Sequence, residues 1–318
     1  MAKQLKIWSS MGLAILGTAV AANAGVISPP QKSPLSSFIL VDADGEGGGT
    51  SAGEDPVYAL GSTDSNAYKY EADEQIDAYI DLASKRYQAA AAAAKDMAKV
   101  IDGYLQKPDA ETVQSARKAM AEARAVYLKT EAFRFYGGPV DKLASHINAD
   151  PAKAGSRATS GWAALESLLS TEAPPANELQ RVTSQLVGDL DSLAQEWTSG
   201  TYPEKLRKLP EREVVGRMMN GMAVLAGYEM PQERALEDFP AGLEAIKQVW
   251  TGGTSNKGVN ALVRTQNPAT ADKVDRLIAE SESKAGTKEE ANKNMQALAQ
   301  ALIKAGNKLG VLVLIPSE

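Results

Sequence analysis

The sequence contains no cysteine and only one histidine, His146. These shortages exclude a disulfide scaffold, an iron–sulfur cluster held by thiolates, a cysteine nucleophile and any zinc site that needs two histidines. A metal bound by this chain would need mainly oxygen ligands, which suit iron, manganese, calcium or magnesium better than zinc. The inventory therefore permits a hard-cation site but does not by itself point to one.

Basic residues are outnumbered by acidic ones, 34 against 40, and aromatic residues are scarce. The net charge is −6 and aromatic residues make up 6% of the chain, while the mean hydropathy is −0.27. An acidic chain has no sequence-independent attraction for nucleic acid or for anionic lipid. We therefore expect no nucleic-acid partner, and we expect the bulk of the chain to be water-soluble.

Long apolar runs are confined to the N-terminus. Lys3 and Lys6 precede an apolar run over residues 11–22, and Ala-Asn-Ala at residues 22–24 has the form of a signal-peptidase site. The run is too short to span a bilayer. We predict a signal peptide over residues 1–24, export to a bacterial periplasm, and no transmembrane span in the mature chain.

Large apolar residues are sparse in the next segment, residues 25–66. It contains three prolines within residues 29–34 and a Gly-rich run over residues 45–51. Such a composition cannot bury enough apolar surface to offset the entropy lost on ordering. We predict a flexible acidic tether here, acting as a spacer.

What is abundant after residue 66 is helix-forming sequence, rich in Ala, Leu, Glu, Lys and Gln. Apolar residues recur at steps of three and four, which is typical of the buried face of a bundle helix. The longest such stripe is formed by Ile76, Ile80, Ala83, Tyr87, Ala90, Ala94, Met97, Ile101 and Tyr104. The pattern predicts an all-α fold of up-and-down helix bundles over residues 67–318, with no strand signal except a short tail at residues 311–315.

Three carboxylates fall on or beside these apolar stripes. Glu131 and Glu229 each lie four residues after a stripe member, and Glu166 borders the inner face of its helix. Buried carboxylates are costly unless they are paired or bound to metal. Two interpretations stay open: structural ion pairs with Arg134 or Arg217, or one shared ligand or metal site.

Three segments that contain these acids resemble the imelysin family. In the first segment, residues 130–135 read Thr-Glu-Ala-Phe-Arg-Phe and precede Gly-Pro-Val-Asp at 138–141. In the second, residues 161–169 read Gly-Trp-Ala-Ala-Leu-Glu-Ser-Leu-Leu. In the third, residues 221–229 read Gly-Met-Ala-Val-Leu-Ala-Gly-Tyr-Glu and are followed by Glu-Arg at 233–234. The resemblance implies an extracytoplasmic protein of two four-helix bundles packed as one imelysin-like domain over residues 67–318. It also implies a link to bacterial iron uptake and a ligand cleft between the bundles, in a family first described as insulin-cleaving metallopeptidases.

The chain departs from the family at its signature, G-x-H-x-x-E. Gly161 and Glu166 match this motif, but Ala163 occupies the histidine position. A hydrolase would then depend on carboxylates alone, so we expect no peptidase activity. The resemblance implies a binding site that contains Glu131, Arg134, Gly161, Glu166 and Glu229, with the three glutamates as metal ligands.

The resulting hypothesis is a periplasmic binding protein for iron acquisition. Its ligand would be a metal ion or an iron chelate, its cofactor iron or another oxygen-liganded divalent cation, and its partners envelope iron-transport components. Two alternatives stay open: a metallopeptidase with a carboxylate site that lacks histidine, and a scaffold that has lost its metal site.

Overall fold

A computed structural model describes residues 38–39, 70–134, 143, 146–148, 159–283 and 286–316. The predicted signal peptide and nearly all of the predicted tether lie outside these residues, so both stay predictions. Within the described ranges, no helix is long and apolar enough to cross a membrane.

The described elements are almost all helices, which confirms the predicted fold class. The helices are α1 (Asp73–Gln106), α2 (Ala110–Leu128), α3 (Gly161–Ser170), α4 (Ala176–Thr198), α5 (Tyr202–Lys208), α6 (Glu211–Val224), α7 (Met230–Glu233), α8 (Phe239–Thr251), α9 (Val259–Gln266), α10 (Pro268–Ser283) and α11 (Lys288–Lys308). Short 3₁₀ helices cover Glu131–Phe133, Leu236–Asp238 and Gly253–Ser255, and a π-helix covers Leu225–Glu229. Two two-residue strands, β1 (Phe38–Ile39) and β2 (Ile315–Pro316), pair antiparallel.

The predicted apolar stripe of α1 is buried along its whole length. Its small residues Ala83, Ala90 and Ala94 let neighbouring segments approach closely, while Tyr87 supplies a ring contact. The next helix begins at a reciprocal cap, in which Thr112 N–H donates to Asp109 Oδ1 at 2.8 Å and Asp109 N–H donates to Thr112 Oγ1 at 3.1 Å. These bonds make Asp109 the N-cap of α2.

The contact pattern divides the chain into two compact units, and the boundary falls inside α1, between Lys85 and Arg86. In unit 1 (residues 86–127 and 134–199 of the described part), α3 packs against α4. Tyr87 stacks on Trp197 at a ring-centroid distance of 5.9 Å, and Arg117 Nε donates to the Leu169 carbonyl at 2.8 Å. Buried aromatic rings and this anchored guanidinium hold the helices of unit 1 together.

Unit 2 contains the start of α1, residues 128–133 and residues 200–318. Its core forms where α11 packs against α6, α10 and the π-helix. Two side chains of α6 hold the extended tail after α11. Asn220 accepts from Leu314 N–H at 2.8 Å and donates to the Leu312 carbonyl at 3.0 Å, and Arg212 Nε donates to the Gly310 carbonyl at 2.5 Å. Within the described residues, strand pairing of the tail is limited to Ile315–Pro316.

Candidate functional site

The first predicted site residue, Glu131, lies in a buried turn rather than on a helix. The apolar stripe after Asp109 and the glycines at 137–138 predict a helix that ends near residue 137, but α2 ends at Leu128 and a 3₁₀ turn follows. The turn directs the chain inward, where the Phe133 ring lies 5.0 Å from the ring of Tyr79. Packing of this aromatic pair overrides the helical propensity of the segment, and it leaves Glu131 only 1% exposed.

Glu131 forms an ion pair with Arg234. The Arg234 guanidinium donates from Nη2 to Glu131 Oε1, and the side chain of Arg234 is 11% exposed. The pair brings together residues 103 positions apart in the chain, both in unit 2. The family resemblance assigns Arg134 to the same site; this residue is half-buried at the end of a described segment, and its role stays a prediction.

The second predicted acid, Glu229, is also buried, at 3% exposure. It ends a π-helix that interrupts the α6–α7 helical run at Leu225–Glu229. Gly227 lies at the centre of this segment because a Cβ there would stand 3.0 Å from Ala299 Cβ and 2.7 Å from the Ile315 side chain. π-Helical turns are frequently found at functional sites, so this segment strengthens the candidacy of Glu229.

The packing of elements explains how unit 2 concentrates these groups. The 3₁₀ turn that carries Glu131 packs against α6 and α8, and the π-helix that carries Glu229 packs against α8 as well. Asp238, which precedes α8, is a further buried acid at 6% exposure. Four polar residues thus lie on or beside elements of unit 2 that pack together, and we call them the unit 2 polar cluster: Glu131, Glu229, Arg234 and Asp238.

The third predicted acid, Glu166, is exposed, so it lies outside the buried face of α3. The buried face of α3 is formed by Trp162, Leu165 and Leu169. Because successive residues are rotated by about 100° around a helix, the side chain that follows Leu165 turns away from that face. Glu166 is therefore available to solvent or to a ligand.

The motif glycine has a clear structural role in unit 1. Gly161 has φ +72°, and a Cβ there would lie 2.1 Å from the Ile147 carbonyl oxygen. Ser160 Oγ donates to the His146 carbonyl at 3.2 Å. The start of α3 is thereby joined to the segment that carries the only histidine, while Ala163 in the first turn of α3 offers no ligand atom.

His146 also lies near an acid of α4. Burial raises the pKa of Asp189, and the neighbouring His146 opposes this shift. Desolvation disfavours the carboxylate, whereas an adjacent imidazolium would favour it. Asp189 and His146 therefore lie close together in unit 1, a proximity that the sequence patterns did not indicate.

The predicted meeting of three glutamates stays a prediction. Glu131 and Glu229 belong to unit 2, whereas Glu166 belongs to unit 1. Over the ranges that the structure describes, no group of three or more His, Asp or Glu side chains is arranged to hold a metal ion. Within unit 2 alone, the arrangement is a carboxylate–guanidinium pair rather than a set of free carboxylates.

Arg234 is the functional candidate that the residue-by-residue patterns missed. Its partner lies far away in sequence. Arg234 itself follows the short helix α7, and no apolar stripe there indicates which way its side chain faces. The signal that existed was the Glu-Arg pair at residues 233–234, which belongs to the segment that resembles the imelysin family.

A small cleft of about 200 Å³ lies elsewhere in unit 2, between α8, α10 and α11. Its lining includes the apolar residues Phe239, Leu243 and Met295 and the acidic residues Glu244 and Glu282. Glu282 is paired with Lys247 at 2.5 Å, so this acidic lining is partly neutralised.

Comparison with known proteins agrees with these features. The family model for peptidase M75, imelysin, matches residues 83–312. The fold resembles the crystal structure of a protein from Parabacteroides distasonis ATCC 8503, described as an iron-regulated protein A precursor, with a TM-score of 0.57 and 13% sequence identity over 76% of this chain and 95% of that chain. No curated protein matches the sequence. The matched range contains all three motif segments, the ion pair of Glu131 with Arg234 and the π-helix, and the chain belongs to the imelysin family.

Proposed function

We propose that this protein is an exported binding protein that serves iron acquisition in the bacterial periplasm, and that its ligand binds at the unit 2 polar cluster. The observation that carries the location is the buried ion pair of Glu131 with Arg234, next to elements that also bury Glu229. Charged groups are rarely buried without a functional or structural reason. Membership of the imelysin family and the iron-regulated relative of similar fold support the link to iron.

A binding role is favoured over peptidase activity because of the composition of the site. Ala163 occupies the motif position for histidine. The one histidine of the chain, His146, is exposed, and it lies in the segment whose backbone carbonyls approach Gly161. General acid–base chemistry at neutral pH is most often supplied by histidine. The buried Glu131 carboxylate already contacts a guanidinium, and such a pair suits electrostatic recognition of a ligand better than proton transfer.

The experiment is a gene deletion with matched complementation. We expect the deletion strain to grow more slowly, and to contain less iron by mass spectrometry, only when iron is limiting. The wild-type gene should restore both, whereas a gene carrying Glu131→Ala together with Arg234→Ala should not. A gene carrying Arg207→Gln is the control, because that arginine pairs with Asp77 at the surface of unit 2.

Two results would contradict the proposal. Normal growth and normal iron content of the deletion strain under iron limitation would remove the link to iron acquisition. Chelator-sensitive cleavage of an unstructured peptide by the purified protein, abolished in the double variant, would instead identify the metallopeptidase alternative.

A further inference from the structure

We infer that the unit 2 polar cluster binds an anionic ligand through the guanidinium of Arg234, and that the ligand's recognised group is a carboxylate, as in a polycarboxylate or its ferric complex. This inference rests on the proposed function, since it names the class of ligand that the same site takes. The inferred ligand is thus an anion, not a free cation held by the glutamates.

Glu131 already has a counter-charge within the protein. This carboxylate is 1% exposed and is already in contact with a guanidinium. A cation bound by Glu131 would have to displace Arg234, and the displaced guanidinium would then remain buried without its counter-charge. Breaking a buried ion pair in this way is strongly unfavourable.

Arg234 has a hydrogen-bond donor that the described residues do not use. Arg234 contacts Glu131 through Nη2, whereas its Nε–H is buried and has no hydrogen-bond acceptor among the residues that the structure describes. A guanidinium presents its donors as a planar fork that matches a carboxylate with two parallel hydrogen bonds. A buried donor without an acceptor is costly, and a ligand oxygen placed there would remove that cost.

Arg234 lies directly after α7 and next to an exposed residue. Arg234 has an extended backbone, with φ −108° and ψ 144°, and the next residue, Ala235, is exposed. Its own side chain keeps 11% exposure. A ligand could therefore reach the guanidinium after small side-chain adjustments, which are common on binding.

The other acids of the cluster do not supply a free cation site. Glu229 and Asp238 are buried, and each has an interaction partner within the protein. Among the described residues, no three carboxylate or imidazole groups are grouped to hold a metal. The group of the cluster with unused binding capacity is thus the guanidinium.

The test is calorimetric titration of the mature chain, from residue 25, with three probes: citrate, ferric citrate and Fe²⁺ under anaerobic conditions. We expect citrate or ferric citrate to bind and Fe²⁺ alone to bind at least tenfold more weakly. Equal affinity for both citrate forms would assign the free carboxylate group as the ligand, and tighter binding of the ferric form would assign the chelate.

Two substitutions have opposite expected effects. Arg234→Gln should weaken binding of the citrate probe at least tenfold, because it removes the positive charge. Glu131→Gln should preserve or tighten that binding, because it releases the guanidinium from its carboxylate. The surface variant Arg207→Gln should leave the affinity unchanged, which controls for a general loss of positive charge.

Circular dichroism and thermal melting check that each variant is folded. Where Arg234→Gln alone does not fold, the double variant Glu131→Gln, Arg234→Gln removes both charges and should fold without binding citrate. Loss of binding in Glu131→Gln, tight binding of Fe²⁺ alone, or no binding of either citrate form would overturn the inference. An iron phenotype of the deletion strain together with one of these results would leave the proposed function intact and remove only the anionic ligand.

Discussion

The Ile147 carbonyl oxygen occupies the space that a side chain at Gly161 would need. A Cβ at residue 161 would stand 2.1 Å from this oxygen, far inside van der Waals contact, and the backbone there has φ +72°. The first residue of the family motif thus has a structural reason for being glycine: the chain that carries His146 crosses directly over the start of α3.

We predict that Gly161→Ala destabilises the protein by more than about 2 kcal/mol, because a left-handed non-glycine residue costs roughly 1–2 kcal/mol before any clash is counted. The matched control is Gly188→Ala in the interior of α4, where a Cβ would meet no atom within 4 Å. Helix propensity predicts that this control stabilises the protein by about 0.5–1 kcal/mol. Urea unfolding measures both, and equal effects of the two substitutions would contradict the prediction.

A second prediction concerns the packing of α8 against α10. Trp250 is fully buried, and its indole Nε1–H donates to Asp275 Oδ1 at 2.6 Å. Asp275→Ala would leave this donor unsatisfied, and we expect a loss of about 1–3 kcal/mol of stability. Asp272→Ala removes only an exposed pair with Arg264, so it should cost no more than about 1 kcal/mol. A smaller loss for Asp275→Ala than for Asp272→Ala in urea unfolding would refute this assignment.

The helical architecture was predictable because it depends on local periodicity. The stripe from Ile76 to Tyr104 is buried throughout, and the cap at Asp109 follows from its own three-residue neighbourhood. The end of α2 was not predictable in this way. Its position depends on the distant ring of Tyr79, against which Phe133 packs, and no local stop signal marks it.

The candidate site was predictable only in part. The burial of Glu131 and Glu229 follows from apolar spacing, whereas Glu166 lies one residue outside the buried face of α3. The partner of Glu131 could not be inferred from spacing because Arg234 is 103 residues away. Ion pairs between distant segments depend on tertiary packing, about which helical periodicity carries no information.

The third prediction is a loss of stability in alkali that depends on Tyr70. Burial raises the pKa of Tyr70 to about 12, with Glu211 adding to the shift and Arg212 opposing it. The folded state therefore holds this proton more tightly than the unfolded state, whose tyrosine pKa is about 10. The resulting stabilisation is complete below pH 10 and is lost as the pH rises from about 10 to 12.

The measurement is the pH dependence of urea unfolding for the parent and for Tyr70→Phe. The variant loses the hydrogen bond from Tyr70 to the Leu309 carbonyl, so it should be less stable at neutral pH. Its stability should also fall less steeply between pH 10 and 12. Identical slopes for the two proteins would show that Tyr70 does not titrate with the raised pKa.

The fourth prediction concerns the motif position that lacks histidine. We expect the parent protein to bind Fe²⁺ or Fe³⁺ weakly as a free ion, and to show no peptidase activity, because oxygen-only ligation is not selective for first-row transition metals. Ala163 is partly exposed in the first turn of α3, and Glu166 is exposed one turn later. Ala163→His should therefore tighten iron binding at least tenfold, as measured by calorimetry.

The control for this gain is Ser167→His, which adds an imidazole to the same helix outside the motif position. Comparable tightening by both substitutions would show a nonspecific effect of added histidine. Tight iron binding by the parent protein, removed by Glu166→Gln, would show that Ala163 is not a loss and that the oxygen ligands suffice.

The π-helix at Leu225–Glu229 has a consequence for how this chain tolerates changes of length. A π-turn contains one residue more than the α-helical turn it replaces, so it corresponds to a single-residue insertion absorbed without a loop. Removing one residue, such as Ala226, would let α6 and α7 continue as one regular α-helix. Because the π-turn had absorbed the extra residue, Glu229 and the residues after it would keep their faces relative to α6. A deletion within the regular turns of α6 would instead rotate every later residue by about 100° around the helix axis, so a change of length is tolerated at the π-turn and not beside it.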